Sequence, residues 1–188
     1  VEGNWPDRAR LKWSFKTDAA IFSSPAVVGD YVYLSTGDKR IISLDAGSGE
    51  VQWEHHVNGP IYSSPAVAGD FVYVGLRDGS VISLQKDTGE KRWQYKTGNI
   101  VDSSPAVYKG VLYIGGADGR LYAFDAMTGE VRWSYLARGR ITSDPAVNQE
   151  VAAIITQDSY LYLIEQVLLE KYEKNLKKKN IAKEATNQ

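Results

Sequence analysis

The chain repeats itself every 40 residues, and this period constrains its fold more than any other feature. The sequence Ser-Ser-Pro-Ala-Val begins at residues 23, 63 and 103, and Ser-Asp-Pro-Ala-Val begins at residue 143. A period held without slippage over four units indicates a repeat architecture in which each unit packs on the next. A tryptophan and an aspartate recur at the same interval, as Trp13, Trp53, Trp93 and Trp133 and as Asp38, Asp78, Asp118 and Asp158.

Each repeat predicts four short strands separated by turns. In the unit that starts near Ile61 we expect strands at about 61–68, 71–76, 80–85 and 91–96, with glycine in each turn. The second and third strands are apolar on both faces, whereas a strand with one solvated face alternates. A four-stranded sheet that is covered on both faces and repeated every 40 residues is a propeller blade. We therefore predict an all-β propeller of antiparallel four-stranded blades, four to a chain.

The two ends of the repeat array are incomplete in complementary ways. Three complete units span 22–58, 62–98 and 102–138, and a last set of three strands spans 141–165. A lone strand is predicted at 11–17, and it is of the type that the last set lacks. Pairing the two removes an edge that invites aggregation. Within one chain this pairing gives a four-bladed ring, and between two chains it gives an eight-bladed ring with two-fold symmetry.

We favour the homodimeric eight-bladed ring, because the blades resemble those of eight-bladed propellers and packing sets the angle between blades. A four-bladed monomer remains open as an alternative, and so does an open assembly or a fragment of a longer protein.

The composition excludes several classes of function. The chain has 188 residues, of which 43% are hydrophobic, so a packed core is expected. Its net charge of -1 provides no overall basic footprint for a nucleic acid. It has no cysteine, which excludes a disulfide framework, a thiolate zinc site and a cysteine nucleophile. No apolar run approaches the roughly 18 residues of a membrane-spanning helix.

The last part of the chain departs from the repeat. Residues 166–188 contain six lysines and three glutamates, a net charge of +3, and carry apolar residues at helical spacing. We predict a C-terminal helix at about 165–182 with a frayed end, and a repeat domain over 1–165. We expect the apolar stripe of the helix to pack on the propeller rim or on a partner chain. The alternative is that Lys177–Lys179 contact an acidic surface, a membrane or a nucleic acid.

The end of the third unit resembles a known motif. Residues 125–133 read Asp-Ala-Met-Thr-Gly-Glu-Val-Arg-Trp and follow Ala123, which resembles the tryptophan-docking motif of PQQ-type propeller repeats, roughly Ala-x-Asp-x-x-Thr-Gly-x-x-x-Trp. Residues 45–53 match with Ser48 in place of Thr, and residues 86–93 match in the Thr-Gly-x-x-x-Trp half, with Gln85 where Asp is expected. The resemblance covers about residues 3–165.

This resemblance implies a fold, a location and a choice of functions. The family includes quinoprotein alcohol dehydrogenases and BamB-like assembly factors of the outer membrane, and most members form rings of eight or seven blades. It implies an exported or periplasmic protein in which Trp13, Trp53, Trp93 and Trp133 are structural docking residues.

The function that fits best is that of a non-enzymatic scaffold that binds a protein or a ligand. The main alternative is a relative of the quinoprotein dehydrogenases that binds PQQ, and a third is a propeller that arose by repeat loss and has no defined ligand. Many alcohol-oxidising relatives place a vicinal cysteine pair against the cofactor, which this chain cannot do. We assign no catalytic, cofactor-binding or metal-binding residue, and we expect no cofactor.

The loops that precede each unit vary while the strands do not, and variable loops on one face of a rigid ring are where propellers bind. Among them Arg138 and Arg140, with Asp102 and Asp144 nearby in the repeat, are the candidate binding face. The recurring aspartates are attributed to turn chemistry rather than to a cation ring. The expected partners are a second copy of the chain and a further protein, and not a nucleic acid.

Overall fold

A computed structural model describes residues 8–166, and within that range the chain forms fifteen strands and no helix. The strands are β1 Ala26–Val28, β2 Tyr31–Ser35, β3 Arg40–Asp45, β4 Val51–His56, β5 Ala66–Ala68, β6 Phe71–Gly75, β7 Ser80–Gln85, β8 Lys91–Lys96, β9 Ala106–Tyr108, β10 Val111–Gly115, β11 Arg120–Asp125, β12 Val131–Leu136, β13 Ala146–Val147, β14 Val151–Ile155 and β15 Leu161–Glu165.

The strands form four antiparallel sheets in chain order, each of which is one blade. Blade 1 is β1–β4, blade 2 is β5–β8, blade 3 is β9–β12, and blade 4 has the three strands β13–β15. The predicted all-β architecture of antiparallel blades is confirmed, and the strands predicted at 80–85 and 91–96 coincide with β7 and β8. The predicted helix over about 165–182 lies almost entirely outside the described residues.

The innermost strand of each blade is shorter than predicted. The strand expected over 61–68 is reduced to β5, because serine side chains replace the ladder partners before it. Ser63 Oγ accepts a hydrogen bond from Gly75 N of β6 at 3.0 Å, which satisfies that backbone donor without a strand. Pro65, next to β5, has no N–H to offer a ladder.

A second serine joins one blade to the next along the inner strands. The amide of Ser24 donates to Ser64 Oγ at 2.8 Å, and the amide of Ser64 donates to Ser104 Oγ at 3.0 Å. The amide of Ser104 then donates to Asp144 Oδ1 at 2.6 Å, where aspartate stands in place of serine. The two serines of the Ser-Ser-Pro motif thus recur for two structural reasons. The first serine accepts a hydrogen bond from the neighbouring strand of its own blade, and the second accepts one from the preceding blade.

The outer strands hold the blades together through tryptophan. Trp53 of β4 donates from Nε1 to the carbonyl of Lys86 in blade 2 at 2.7 Å, and its ring packs over Gly89. Trp93 repeats this arrangement, donating to the carbonyl of Ala126 in blade 3 at 3.0 Å. The pairing of β3 with β4 shifts register next to Trp53, and such a bulge re-aims the side chain that follows it.

The hydrophobic core is divided among the blade interfaces. One cluster of buried residues joins blades 1 and 2, a second joins blades 2 and 3, and a third joins blades 3 and 4. A fourth, smaller cluster lies on the free side of blade 1, where Trp13 and Phe15 pack against Leu34, Ile42 and Leu44.

The segment 11–17 is not a strand in the single chain, contrary to the sequence prediction. Trp13 donates from Nε1 to the carbonyl of Ala46 at 3.1 Å, so the segment is held against blade 1. It pairs with no strand among residues 8–166, since β15 has β14 as its only ladder partner in that range. Closure of blade 4 by residues 11–17 stays a prediction, and it is not made within this chain.

The contact between Trp53 and Gly89 provides a test of the blade packing. A Cβ built on Gly89 lies 2.6 Å from the Trp53 ring, and the residue has a φ of 71°. We expect Gly89→Ala to lower the free energy of unfolding by about 2–5 kcal/mol, from left-handed strain and overpacking together. Urea unfolding followed by tryptophan fluorescence measures this.

Gly69→Ala is the matched control for that substitution. Gly69 has a φ of 58°, but a Cβ there has no neighbour within 4 Å. We expect a loss of only about 1–2 kcal/mol, from backbone strain alone. Equal losses for the two variants would contradict a role for Gly89 in seating the indole.

Candidate functional site

Four side chains from three blades form a connected cluster on one face of the propeller. Phe22, Tyr62 and Asp102 occupy the same position in successive repeats, just before the innermost strand, and Arg77 lies between β6 and β7. The rings of Phe22 and Tyr62 lie 4.6 Å apart. The Arg77 guanidinium lies 4.4 Å from the centre of the Tyr62 ring, within cation–π range. We call these four residues the aromatic–arginine cluster.

The cluster ends in an ion pair between blades 2 and 3. Arg77 Nε lies 3.0 Å from Asp102 Oδ1, without the alignment of a hydrogen bond. The Asp102 side chain is largely buried, whereas that of Arg77 is about one-third exposed. This pair holds the guanidinium over the Tyr62 ring, and Phe22, which is 59% exposed, lies at the open end of the cluster.

The predicted binding face of Asp102, Arg138, Arg140 and Asp144 does not form one group of interacting side chains in the structure. Asp102 contacts Arg77, and Asp144 accepts from the backbone of Ser104, which makes it part of the inner hydrogen-bond chain. Arg138 and Arg140 are exposed, and the hydrogen bonds found for them use their backbone atoms. Their role in binding stays a prediction.

Sequence reasoning missed Phe22, Tyr62 and Arg77. A signal for the two aromatic residues existed, because their position reads Phe, Tyr, Asp and Thr in the four repeats, between a constant serine and a position that is always Ile or Val. Arg77 gave no such signal, since its proximity to Tyr62 and Asp102 depends on how blades 2 and 3 pack together.

The recurring aspartates bind backbone and neighbouring side chains, as expected for turn residues. Asp118 Oδ2 accepts from the amide of Gly98 at 3.0 Å and from the Tyr122 hydroxyl at 2.6 Å. Burial, and then the hydrogen bond to Asp118, raise the pKa of the Tyr122 hydroxyl. No group of three or more potential metal ligands occurs among the residues that the structure describes.

Asp38 takes part in a charged network on the same face. Arg40 binds both the Asp38 carboxylate and Glu54, and the amide of Asp18 donates to Asp38 Oδ2 at 3.1 Å. The hydrogen bond from Arg40 is the main reason that the pKa of the Asp38 carboxyl is lowered to about 2. The network fixes the loop that leads into blade 1.

The two histidines do not form a metal site. His55 and His56 are neighbours on β4, where successive side chains point to opposite faces. Burial lowers the pKa of His55, while His56 is exposed, with Nε2 3.8 Å from the Glu54 carboxylate. Within residues 8–166 no helix is long and apolar enough to cross a membrane.

Comparison with known proteins agrees with the repeat. The model of a family described as outer membrane protein assembly factor BamB matches residues 6–169. Among solved structures, the chain is similar to BamB from Moraxella catarrhalis, with 25% identity and a TM-score of 0.74. That match covers 82% of this chain and 49% of the other, so the chain spans about half the length of that BamB. Comparison with curated protein sequences gives no match.

Two other solved structures share the fold. The computationally designed protein Ika4 matches with 17% identity and a TM-score of 0.77, over 85% of this chain and 100% of its own. A quinohemoprotein alcohol dehydrogenase from Pseudomonas putida HK5 matches with 18% identity and a TM-score of 0.67, over 76% of this chain and 29% of its own. At these identities the similarity establishes the fold alone.

The Asp38 network predicts a pH dependence of stability. The pKa of about 2 in the folded chain lies below the usual 3.8 of an aspartate carboxyl, so the unfolded chain takes up the proton first as the pH falls. The stabilisation is therefore present above about pH 4 and is lost as the pH falls toward about 2. We expect Asp38→Asn to flatten this part of the profile, measured as melting temperature against pH.

Arg40→Met serves as the companion variant, because it removes the cation that lowers the pKa and leaves the carboxyl in place. It should flatten the acid limb as Asp38→Asn does. If the melting temperature of both variants falls below pH 4 as it does in the unmodified chain, this network is not the origin of the pH dependence.

Proposed function

Since the chain belongs to the family of the outer membrane protein assembly factor BamB, we propose that it is a non-enzymatic propeller that binds another protein. The family description names assembly at the outer membrane, and we place this chain with its relatives outside the cytoplasm, in the periplasm. The observation that carries the proposal is the aromatic–arginine cluster, an exposed group of the side-chain types that dominate protein interfaces.

The chemistry of the cluster suits a protein partner. Tyrosine and arginine are enriched among the residues that carry most of the binding energy in protein interfaces, and large aromatic rings contribute contact area with little loss of entropy. Arg77 is held by Asp102 at 3.0 Å and lies over Tyr62, so it is oriented before any partner arrives. A preorganised side chain loses less entropy on binding than a free one.

The partner binds, in this proposal, across blades 1 to 3 on the face that carries the cluster. Phe22 and the neighbouring Ile21 are exposed there, while Asp102 is largely buried. Protein interfaces usually have an apolar core and a polar rim. In the cluster the aromatic rings correspond to the core, and the pair of Arg77 with Asp102 corresponds to the rim.

We further propose that two copies of the chain complete one eight-bladed ring. Blade interfaces inside the chain bury apolar clusters. The free side of blade 1 is covered in part by Trp13 and Phe15, and the outward face of blade 4 is open. Val27 on blade 1 and Leu161 on blade 4 are 67% and 71% exposed. The two faces belong to opposite ends of the array, so a second copy supplies to each the neighbour that it lacks.

A binding experiment tests the scaffold proposal. The immobilised chain is incubated with a bacterial envelope extract under reversible crosslinking, and the captured protein is identified and then titrated in purified form. We expect Tyr62→Ala to weaken its binding by about 30-fold, the effect of a hot-spot truncation that costs about 2 kcal/mol.

Tyr108→Ala is the matched control for that experiment. Tyr108 ends β9 on the opposite face, and its ring is also in contact with a cation, Lys109 Nζ at 5.6 Å from the ring centre. It should bind as the unmodified chain does. Equal binding by the Tyr62→Ala variant and the unmodified chain would remove the cluster from the interface.

The quinoprotein alternative has the shared fold as its support, at 18% identity to the Pseudomonas putida enzyme. It is tested separately by titrating the purified chain with PQQ and Ca²⁺ while following absorbance and heat. We expect neither a spectral change nor saturable heat. A saturable change would replace the scaffold proposal with a cofactor-binding one.

A further inference from the structure

We propose that β15 of one chain accepts residues 11–16 of a second copy as the fourth strand of blade 4, in the register that the repeat dictates. The inference rests on the two-copy ring proposed above and specifies the pairing that closes it. It identifies an interaction surface, its occupant, and the residues that face each other across it.

The edge of β15 is built like an internal strand but is left exposed. Leu161 is 71% exposed, whereas the residues at the same place in the other three blades, Ile41, Val81 and Leu121, are fully buried. Leu163 is 69% exposed, whereas Ser43, Ser83 and Ala123 at its equivalent positions are fully buried. A leucine pair on an open strand edge is an unfavourable arrangement unless something covers it.

The segment that fits this edge is present elsewhere in the same chain. Residues 12–17 alternate between exposed and half-buried, as a strand does, with Trp13 and Phe15 turned toward blade 1. Trp13 donates to the carbonyl of Ala46, as Trp53 donates to that of Lys86. The segment therefore already holds the outermost-strand position of a blade that would precede blade 1.

The repeat fixes the register of the missing pair. In the three complete blades the tryptophan lies opposite the same strand position, as Ser43 with Trp53, Ser83 with Trp93 and Ala123 with Trp133. Leu163 is the residue 40 positions after Ala123, and Trp13 is the residue 40 positions before Trp53. The same pairing therefore places Trp13 of the second copy opposite Leu163. The pair of Ile41 with His55 becomes Leu161 with Phe15, so both exposed leucines meet aromatic side chains.

Charge complementarity supports the same register. In blade 3 Arg132 binds the Asp125 carboxylate at 2.6 Å, and the equivalent positions across the proposed junction are Lys12 and Glu165. A groove of about 420 Å³ lies beside β15 and is lined in part by Glu150 and Glu165. The incoming segment carries Lys12 and Lys16, and Arg8 and Arg10 directly precede it, so residues 8–16 bring a net positive charge.

The inner strands complete the junction in the same register. The amide of each second serine donates to the corresponding side chain of the next blade, and this series ends at Asp144. The proposed neighbour of Asp144 is Ser24 of the second copy. By the same pattern the amide of Asp144 donates to the hydroxyl of that serine.

The second copy is preferred over the chain's own N-terminal segment for a geometric reason. Trp13 is bound to blade 1 of its own chain, and blades 2 and 3 lie between blade 1 and β15 in the order of packed sheets. Pairing within the chain requires the four blades to close on themselves. The structure instead leaves both surfaces open.

Cysteine crosslinking in the 188-residue chain tests the pairing directly, because the chain has no cysteine of its own. The register places Lys16 opposite Tyr160, as His56 lies opposite Arg40. Opposed Cα atoms in an antiparallel pair are about 4.5–5.5 Å apart, within the range that a disulfide spans. We expect Lys16→Cys with Tyr160→Cys to give, on oxidation, a covalent species of twice 20.8 kDa.

The control pairs Lys16→Cys with Leu161→Cys, which moves the second thiol to the other face of β15 and should not crosslink. A second measurement uses the ion pair. Lys12→Glu and Glu165→Lys should each raise the dimer dissociation constant about tenfold, and the double variant should restore it. Light scattering over a dilution series measures these constants and the mass of each species.

The outcomes distinguish the proposed strand pairing from the two-copy ring and from partner binding by the aromatic–arginine cluster. A crosslinked dimer with the charge-swap rescue supports the strand exchange. A monomer with an internal disulfide overturns it in favour of a four-bladed ring. A dimer by mass without the crosslink overturns the register and leaves the two-copy ring standing. A monomer without the crosslink overturns both, and leaves partner binding by the aromatic–arginine cluster unaffected.

Discussion

The packing of one tryptophan ring onto the glycine of the next blade is the contact on which the rest of the structure depends. Between blades 1 and 2 and between blades 2 and 3 it places a large apolar surface at the outer rim of the interface. A hydrogen bond from Nε1 anchors the ring, 2.7 Å long for Trp53 and 3.0 Å for Trp93. Glycine is required on the receiving side for two independent reasons, a positive φ and the absence of a Cβ beneath the ring. The spacing of tryptophan and glycine therefore sets the relation between neighbouring blades.

A fold built from such contacts has no natural end. Each blade buries its two faces only when it has a neighbour on both sides, so stability accumulates along the array as in other repeat proteins. The hydrogen bonds between serines join neighbouring blades at their inner strands, and the tryptophans join them at their outer strands. Each interface is therefore held at both of its edges. The same forces leave an apolar face at each end of the array, which on blade 1 is covered in part by Trp13 and Phe15.

Binding chemistry lies where the repeat is not obeyed. The tryptophans and the first serine of the Ser-Ser-Pro motif recur in every unit, whereas Phe22, Tyr62 and Asp102 differ at one shared position. The tryptophan contacts and the serine hydrogen bonds that recur along the array do not use this position, so its side chain can differ from unit to unit. The cluster formed with Arg77 shows how an array of nearly identical units acquires one distinct surface.

The sequence alone determined the blades. Period, strand order, turns and the positions of β7 and β8 followed from local patterns, because hydrogen-bonded hairpins form between residues close in the chain. It also indicated that residues 11–17 and the last three strands lack complementary partners. It overestimated the innermost strands, since the serine side chains that replace ladder partners, such as Ser63, resemble ordinary strand residues in a pattern of hydrophobicity.

Only the tertiary structure decided which side chains meet across blades. The predicted group of Asp102, Arg138, Arg140 and Asp144 separated into unrelated environments, while Arg77 reached Tyr62 and Asp102 from a different loop. The structure also decided that residues 11–17 pack on blade 1 without joining a sheet. The physical reason is the same in both cases. A repeat pattern specifies each unit and its neighbours, but contacts between non-equivalent positions depend on the angle at which two blades pack, and the packed side chains of both set that angle.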